Sequence, residues 1–300
     1  MKSLRDWSGR ARASGMTAIV SGKAYMSQQA KIHKALSTLR KEIGEHTPTN
    51  PACSGWQSYA QCDEDGIIRD CLNRISTTVQ LTNTFLEIGC GDGLENNTHQ
   101  LLIDGFRGCW IDGNADNIQK ISASLGGLRH PRLYIQHVFL DLNNICSCVA
   151  DCIKNLDLTR DIDLLSLDTD GNDIHFLRAL LPMISPRLVC VEYNAKFPPP
   201  TRAEMEYSSE YRWQGDDYFG ASLQSWVDTL NEHILVSCNL SGTNAFFVRH
   251  DCASPFKRYN PQSLYQPPRY WLTEGRAGHP SSLRWLRQIL QSKTSALSPC

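Results

Sequence analysis

Between Thr84 and Gly93 an apolar run, Phe85, Leu86, Glu87 and Ile88, breaks into Gly89, Cys90, Gly91, Asp92 and Gly93. This pattern reads as a buried strand ending in a glycine-rich turn. Such a turn lets backbone approach a ligand closely and, if a helix follows, sets free N-terminal amides beside it. The dinucleotide pattern places glycines at positions one, three and six, but counted from Gly89 the sixth position is Leu94. Glu87, Asp92 and Glu95 add carboxylates that would repel a pyrophosphate. About 20 residues on, where a ribose-binding acid is expected, Cys109, Trp110 and Ile111 lead into Asp112. A plain strand-to-helix turn is the competing reading of the glycines.

Acids without basic partners suit a cationic nucleoside that lacks phosphates. S-adenosylmethionine fits, with its sulfonium, ammonium, ribose diol and adenine. Glu87, Gly89, Cys90, Gly91, Gly93, Asp112, Gly113 and Asn114 form its expected binding set, with Asp168 at the sulfonium end. Methyl transfer is an in-line displacement, so a protein must align the reactants, exclude water and, for a hydroxyl acceptor, help remove a proton. Asp168 closes one apolar run, and Glu192 with Asn194 closes another. Together these three hard oxygen donors could hold Mg²⁺, or they could merely fix loops. His175 is a candidate general base, oriented by Asp173 or Asp170, although a histidine at a helix start also serves as a cap. Asp170, Asn172, Tyr211, Trp213, Tyr218 and Asn244 are candidate substrate contacts. The aromatic ones could stack on an acceptor or seal the core, and Asn244 could be only a turn residue.

Two other metal sites are excluded by spacing. Asp168, Asp170 and Asn172 imitate the opening of a calcium loop, but Asp173 stands where that loop needs Gly and Ala179 where it needs Glu. Cys146, Cys148 and Cys152 cluster without a fourth ligand or paired Cys-x-x-Cys spacing.

The elements that must position these residues alternate. Strands are expected at 84–89, 108–112, 133–139, 162–167 and 188–193, with helices at 94–104, 116–125, 145–155 and 174–181. That alternation predicts an α/β fold with a doubly wound, mostly parallel sheet whose ligands sit at the strand carboxyl ends. His137, inside an apolar strand, is assigned to the core. A Tyr-, Trp- and acid-rich stretch from Tyr207 to Tyr218 reads as a lid, followed by a helix at 221–232 and a hairpin at 234–240 and 245–249. Residues 1–53 form an N-terminal helical extension whose helix, 27–45, carries Ile32, Leu36, Leu39 and Ile43 as one stripe. The stripe could pack on the main domain or form a homodimer seam. Residues 54–250 form the catalytic domain, and 251–300 a strap ending in a helix at 281–291.

The run Glu87 to Gly93 resembles the first motif of class I S-adenosylmethionine-dependent methyltransferases, and Asp112 their second. Asp163 to Asp173 and Val191 to Asn194 resemble the FkbM-type branch, although many members carry Glu where this chain has Asp170 and Asp173. The resemblance, over about Gln57 to Arg249, implies a Rossmann-like seven-stranded sheet completed by antiparallel strands. It also implies O-methylation of a sugar, polyketide or similar small molecule. An acidic segment before the cofactor domain would then bring Gln61 or Asp65 near the methionine moiety, with plain helix N-terminal charge complementarity as the alternative. N- or carboxyl-methylation, a catalytically silent cofactor-binding protein and an NAD-dependent oxidoreductase remain the alternatives.

Composition fits these expectations. The chain has 300 residues, 41% hydrophobic, and a net charge of -1, so no global field draws nucleic acid or anionic lipid. No apolar run approaches the length needed to cross a bilayer, and the first residues lack a signal-peptide core. A cytoplasmic protein acting on a hydroxylated small molecule is expected. Its twelve cysteines are scattered, and reduced thiols are expected over bridges.

Overall fold

The computed structural model describes residues 22–274 and 281–294. The chain start, residues 275–280 and residues 295–300 lie outside the described residues, as do the expectations placed on them. In chain order the elements are α1 (Gly22–His46), α2 (Glu64–Ile75), β1 (Thr84–Ile88), α3 (His99–Ile103), β2 (Arg107–Asp112), α4 (Ala115–Leu125) and β3 (Arg129–His130). They continue with β4 (Leu133–His137), α5 (Ile145–Leu156), β5 (Leu164–Leu167), α6 (Asp173–Leu180), β6 (Leu188–Glu192), α7 (Leu223–Thr229), β7 (His233–Cys238), β8 (Asn244–Arg249), α8 (Pro261–Leu264) and α9 (Arg284–Thr294).

These strands form one sheet in the order β3-β4-β2-β1-β5-β6-β8-β7. The five central strands β4, β2, β1, β5 and β6 run parallel, and β8 is antiparallel to both β6 and β7. This is the Rossmann-like α/β sheet expected, with one addition. Arg129–His130 turns back through Pro131 and Arg132 to pair with β4, making eight strands instead of seven. Two residues are too few to leave a periodic trace in the sequence. Strand order reverses direction between β1 and β5, the switch point at which such sheets open a ligand crevice.

Successive strand residues face opposite sides. Phe85, Trp110, Leu164, Cys190 and Phe246 pack against α2, α4, α9 and α1, while Leu86, Ile111, Leu165, Val189 and Phe247 pack against α5, α6 and α7. Ile32, Leu36, Leu39 and Ile43 of α1 all join the first of these cores, so the stripe is spent within this chain.

Three expectations are corrected. The helix predicted at 94–104 starts only at His99, because Leu94–Thr98 are drawn into a turn by the Glu87 carboxylate. His137 is exposed at the end of β4, and Gln136 is buried in its place. Cys109 of β2 and Cys152 of α5 form a disulfide, with Cα atoms 6.0 Å apart, so this pair is not reduced.

Candidate active site

The glycine turn crosses between β1 and β5. Gly89 has φ +87°, and a Cβ there would collide with the Asp168 carbonyl. Only glycine fits both conditions. Its N–H and that of Cys90 donate to the Ile111 carbonyl at 2.8 and 3.2 Å, stitching the turn to β2. Beneath it, Glu87 is buried and accepts from Asn97 N at 2.9 Å, Thr98 N at 3.2 Å and the Thr98 hydroxyl. Glu87 therefore shapes the turn from inside, a correction to its assignment as a cofactor contact. The N-terminus of α3 is met by Glu87 and by Asn96 Oδ1, which accepts from His99 N at 2.8 Å. Free helix amides beside the turn are accordingly not what the loop offers. Cys90 is also buried, its thiol donating to the Gly91 carbonyl, so it contributes backbone.

At the end of β2, Asp112 accepts from Gly91 N at 2.8 Å through Oδ2, and from Asn114 N and Asn117 Nδ2 through Oδ1. The acid thus stands beside the glycine turn, as the sequence spacing requires of a ribose ligand. Gly113 lies against the Phe139 ring, 3.1 Å from where a Cβ would stand. Phe139 is 39% exposed and was not singled out from the sequence. The Asn114 side chain is the N-cap of α4, accepting from Asp116 N and Asn117 N, so its expected cofactor role gives way to capping.

Ahead of α2, Asp65 accepts from Ser58 N, Tyr59 N and Ala60 N at 2.6–2.9 Å. One oxygen of its carboxylate, Oδ2, folds its own leading segment. Gln61 meets that segment through its carbonyl, which accepts from Gln57 Nε2 at 2.8 Å. The segment reaches the glycine turn by a residue the sequence did not flag. Tyr59 stacks on His99, with ring centroids 3.8 Å apart, and His99 Nδ1–H donates to the Gly93 carbonyl at 2.8 Å. Burial lowers the His99 pKa from 6.5 to about 4. The unfolded chain therefore takes up this proton first on acidification. Stability is full above pH 6.5 and falls between 6.5 and 4, by about 3 kcal/mol from this group. His99→Gln lacks that titration, so the stability advantage of wild type over the variant in urea unfolding should shrink from pH 7 to pH 5. A pH-independent difference would refute the assignment.

At the ends of β5 and β6, carboxylate oxygens of Asp168, Asp170 and Glu192 lie within 4.8 Å of one another. Unscreened by a ligand, like charges at that distance repel by about 3 kcal/mol per pair at an effective dielectric near 20. Asp170 reaches the group because it adopts φ +59°. Asn194 does not share the role predicted for it. Its Nδ2 donates to the Asp217 and Phe219 carbonyls and its Oδ1 accepts from Lys196 N, so loop bonds fix the amide, and it is not among the clustered carboxylates. Asp173 is buried under the acidic turn and accepts from Thr169 N, the Thr169 hydroxyl and Gly171 N. It does not orient His175. His175 Nε2–H donates to the Met205 carbonyl at 2.9 Å, which leaves Nδ1 as the acceptor nitrogen of the ring.

The aromatic stretch folds over these strand ends. Asn172 and Ser208 exchange two hydrogen bonds, Nδ2 to carbonyl at 2.8 Å and N–H to Oδ1 at 3.2 Å, so Asn172 ties the flap down and does not face a substrate. The Tyr207 hydroxyl accepts from Leu142 N, and the Arg212 guanidinium lies 4.4 Å from the Phe139 ring centroid. Tyr211 lies flat on Gly171 and donates its hydroxyl to the Tyr218 carbonyl. Burial, with Asp216 and Asp170 close by, pushes that hydroxyl up to about 12, so it stays protonated. Trp213 Nε1–H donates to the Asp216 carbonyl within the flap, and Tyr218 is 51% exposed at its rim. Asn244, opposite Glu192 on β8, is buried beside Glu64.

No protein family matches the sequence, and no curated protein does. Structural neighbours are methyltransferases. BamL, a plantazolicin methyltransferase solved with S-adenosylhomocysteine and a substrate analogue, is 16% identical over 57% of this chain and 58% of its own, with a TM-score of 0.29. This chain therefore spans little more than half of BamL. An O-methyltransferase from Bacillus cereus, solved with S-adenosylhomocysteine, is 12% identical over 65% of this chain and 76% of its own, with a TM-score of 0.32. The N-terminal domain of EvdMO1, solved with S-adenosylhomocysteine, is 11% identical over 71% and 94%, with a TM-score of 0.37. At TM-scores this low, the case rests on this chain's own strand order and side chains.

Proposed function

We propose that the protein is an S-adenosylmethionine-dependent methyltransferase that methylates a hydroxyl of a small molecule, a saccharide or natural product of the kind the FkbM-type resemblance implies, in the cytoplasm. The observation that carries this reading is Asp112. Its carboxylate is anchored by Gly91 N at the rim of the switch-point crevice, in the position to accept from both ribose hydroxyls. Acids at Asp168, Asp170 and Glu192 continue the crevice, which favours a sulfonium over a pyrophosphate.

The methyl group arrives already activated on sulfur. The chain's own task is to seat the nucleoside at Asp112, press the glycine turn against the sulfonium end and close the flap over the strand ends. Proton removal from the acceptor is assigned to a carboxylate at the strand ends, Asp168 or Glu192. The close carboxylate triplet also favours a second reading of this step, in which Asp168, Asp170 and Glu192 hold Mg²⁺ and the ion lowers the pKa of the acceptor hydroxyl. With a net charge of -1, and with no helix among the described residues long and apolar enough to cross a membrane, a small acceptor is favoured over nucleic acid or lipid.

Calorimetric titration with S-adenosylhomocysteine, with and without Mg²⁺ and with NAD as control, tests the proposal. Binding of S-adenosylhomocysteine and not NAD is expected. NAD binding alone would overturn it. Methyl transfer that survives exhaustive chelation would dismiss the Mg²⁺ reading and leave a carboxylate as the base.

A further inference from the structure

Glu64 is fully buried at the start of α2, and an ionised carboxylate can only accept hydrogen bonds. Its Oε1 accepts from Asn239 Nδ2 at 2.6 Å and Asn244 Nδ2 at 3.1 Å, and its Oε2 from Cys62 N at 2.6 Å. Both amides must turn nitrogen toward Glu64 and oxygen away from it. The Asn239 oxygen is then satisfied by Thr243 N and Asn244 N, each at 2.9 Å. The Asn244 oxygen has no hydrogen-bond partner, although the residue is only 5% exposed. A buried acceptor left this way is costly and calls for a ligand. Strand register sets Asn244 directly opposite Glu192, and such partners share a face with Cβ atoms about 5 Å apart.

The cofactor does not reach this oxygen. Asp112 and Asn244 are separated by four strand spacings, β2 to β1, β5, β6 and β8, or about 19 Å at ~4.8 Å each. From a ribose hydroxyl carbon to the methionine nitrogen there are roughly seven bonds, about 9 Å when extended. With the C–O bond and a hydrogen bond of ~2.8 Å at each end the reach is about 16 Å, so a cofactor laid from Asp112 ends short of β8, and Asn244 is left to the other reactant.

We propose that Asn244 binds the methyl acceptor, its Oδ1 accepting from a hydroxyl adjacent to the one held at Glu192, and that Glu64 is the positioning residue keeping Asn244 oxygen-first, so that the acceptor class is a vicinal diol. This rests on the methyltransferase reading above.

The test is a crystal structure of the full chain with S-adenosylhomocysteine at pH 8.5, soaked in glycerol as the vicinal-diol probe. That pH lies above the value of about 7 to which burial and the neighbouring Asp63 carboxylate push Glu64. Adjacent glycerol hydroxyls are expected on Asn244 Oδ1 and Glu192, with Asn244 Nδ2 still on Glu64. Water alone, a metal ion, a protein donor or the cofactor itself at Oδ1 would overturn the proposal. In calorimetry, Asn244→Leu should bind S-adenosylhomocysteine within threefold of wild type, and a larger loss would make Asn244 a cofactor contact and end the proposal. Glu64→Gln, equal in shape, should let the Asn244 amide turn over and lose the glycerol while S-adenosylhomocysteine affinity is kept. Glycerol retained with the amide unturned would remove the role given to Glu64. Failure of wild type to bind S-adenosylhomocysteine at all is a different result, which fells the methyltransferase reading itself.

Discussion

Gly89→Ala is expected to abolish S-adenosylhomocysteine binding and to destabilise the protein by about 2–5 kcal/mol, summing a left-handed backbone penalty of ~1–2 kcal/mol and overpacking of ~1–3 kcal/mol. Both contributions arise at one atom. The residue has φ +87°, and the new methyl would be driven into the Asp168 carbonyl, where β1 and β5 part to open the crevice. To admit it, the β5 end must move, and Asp168 and its acidic neighbours move with it. Urea unfolding and calorimetry together read the two effects. A variant that unfolds at the wild-type midpoint and binds S-adenosylhomocysteine normally would show that the crossing is looser than the geometry described.

Asp112→Ala should leave the protein folded and weaken S-adenosylhomocysteine binding by about a hundredfold or more. Each charged hydrogen bond contributes ~1.5–3 kcal/mol, and two ribose hydroxyls can be engaged. Their loss together corresponds to about 10²–10⁴ in affinity. The carboxylate also holds Gly91 N and Asn114 N, so part of any loss could reflect a relaxed turn. Asp112→Asn keeps an oxygen for the Gly91 N–H and sets a donor nitrogen in place of Oδ1, facing both Asn114 N and a ribose oxygen. An intermediate affinity is expected for it. Unchanged binding in Asp112→Ala would place the nucleoside elsewhere.

Local chemistry was legible in the sequence and the direction of side chains was not. The turn at Gly89 to Gly93 and the strand end at Asp112 could be placed because both are fixed by short-range spacing, and the apolar runs placed all the long strands. The carboxylates behaved differently. Glu87, Asp65 and Asp173 each accept from three donors of their own chain, structural bonds that the sequence reading did not assign to them. Asp65 and Asp173 both stand in the first turn of a helix and reach back to amides of the segments that precede it. Asp170 entered the acidic group through a left-handed backbone that sequence does not announce in an aspartate. Asn194 left it because a loop more than twenty residues on supplies its acceptors. Tyr59 meets His99, and Asn244 meets Glu64, across separations that only the tertiary fold closes.

The buried Glu87 carboxylate, which holds Asn97 and Thr98 just past the glycine turn, has a thermodynamic consequence. The turn's curvature is imposed by the core, so its backbone loses conformational freedom when the chain folds and not when the nucleoside arrives. Association then immobilises little of the protein at this end of the crevice. In the methyltransferase reading proposed above, the nucleoside meets a preorganised socket, with a smaller entropic penalty than a loop that orders on contact would incur.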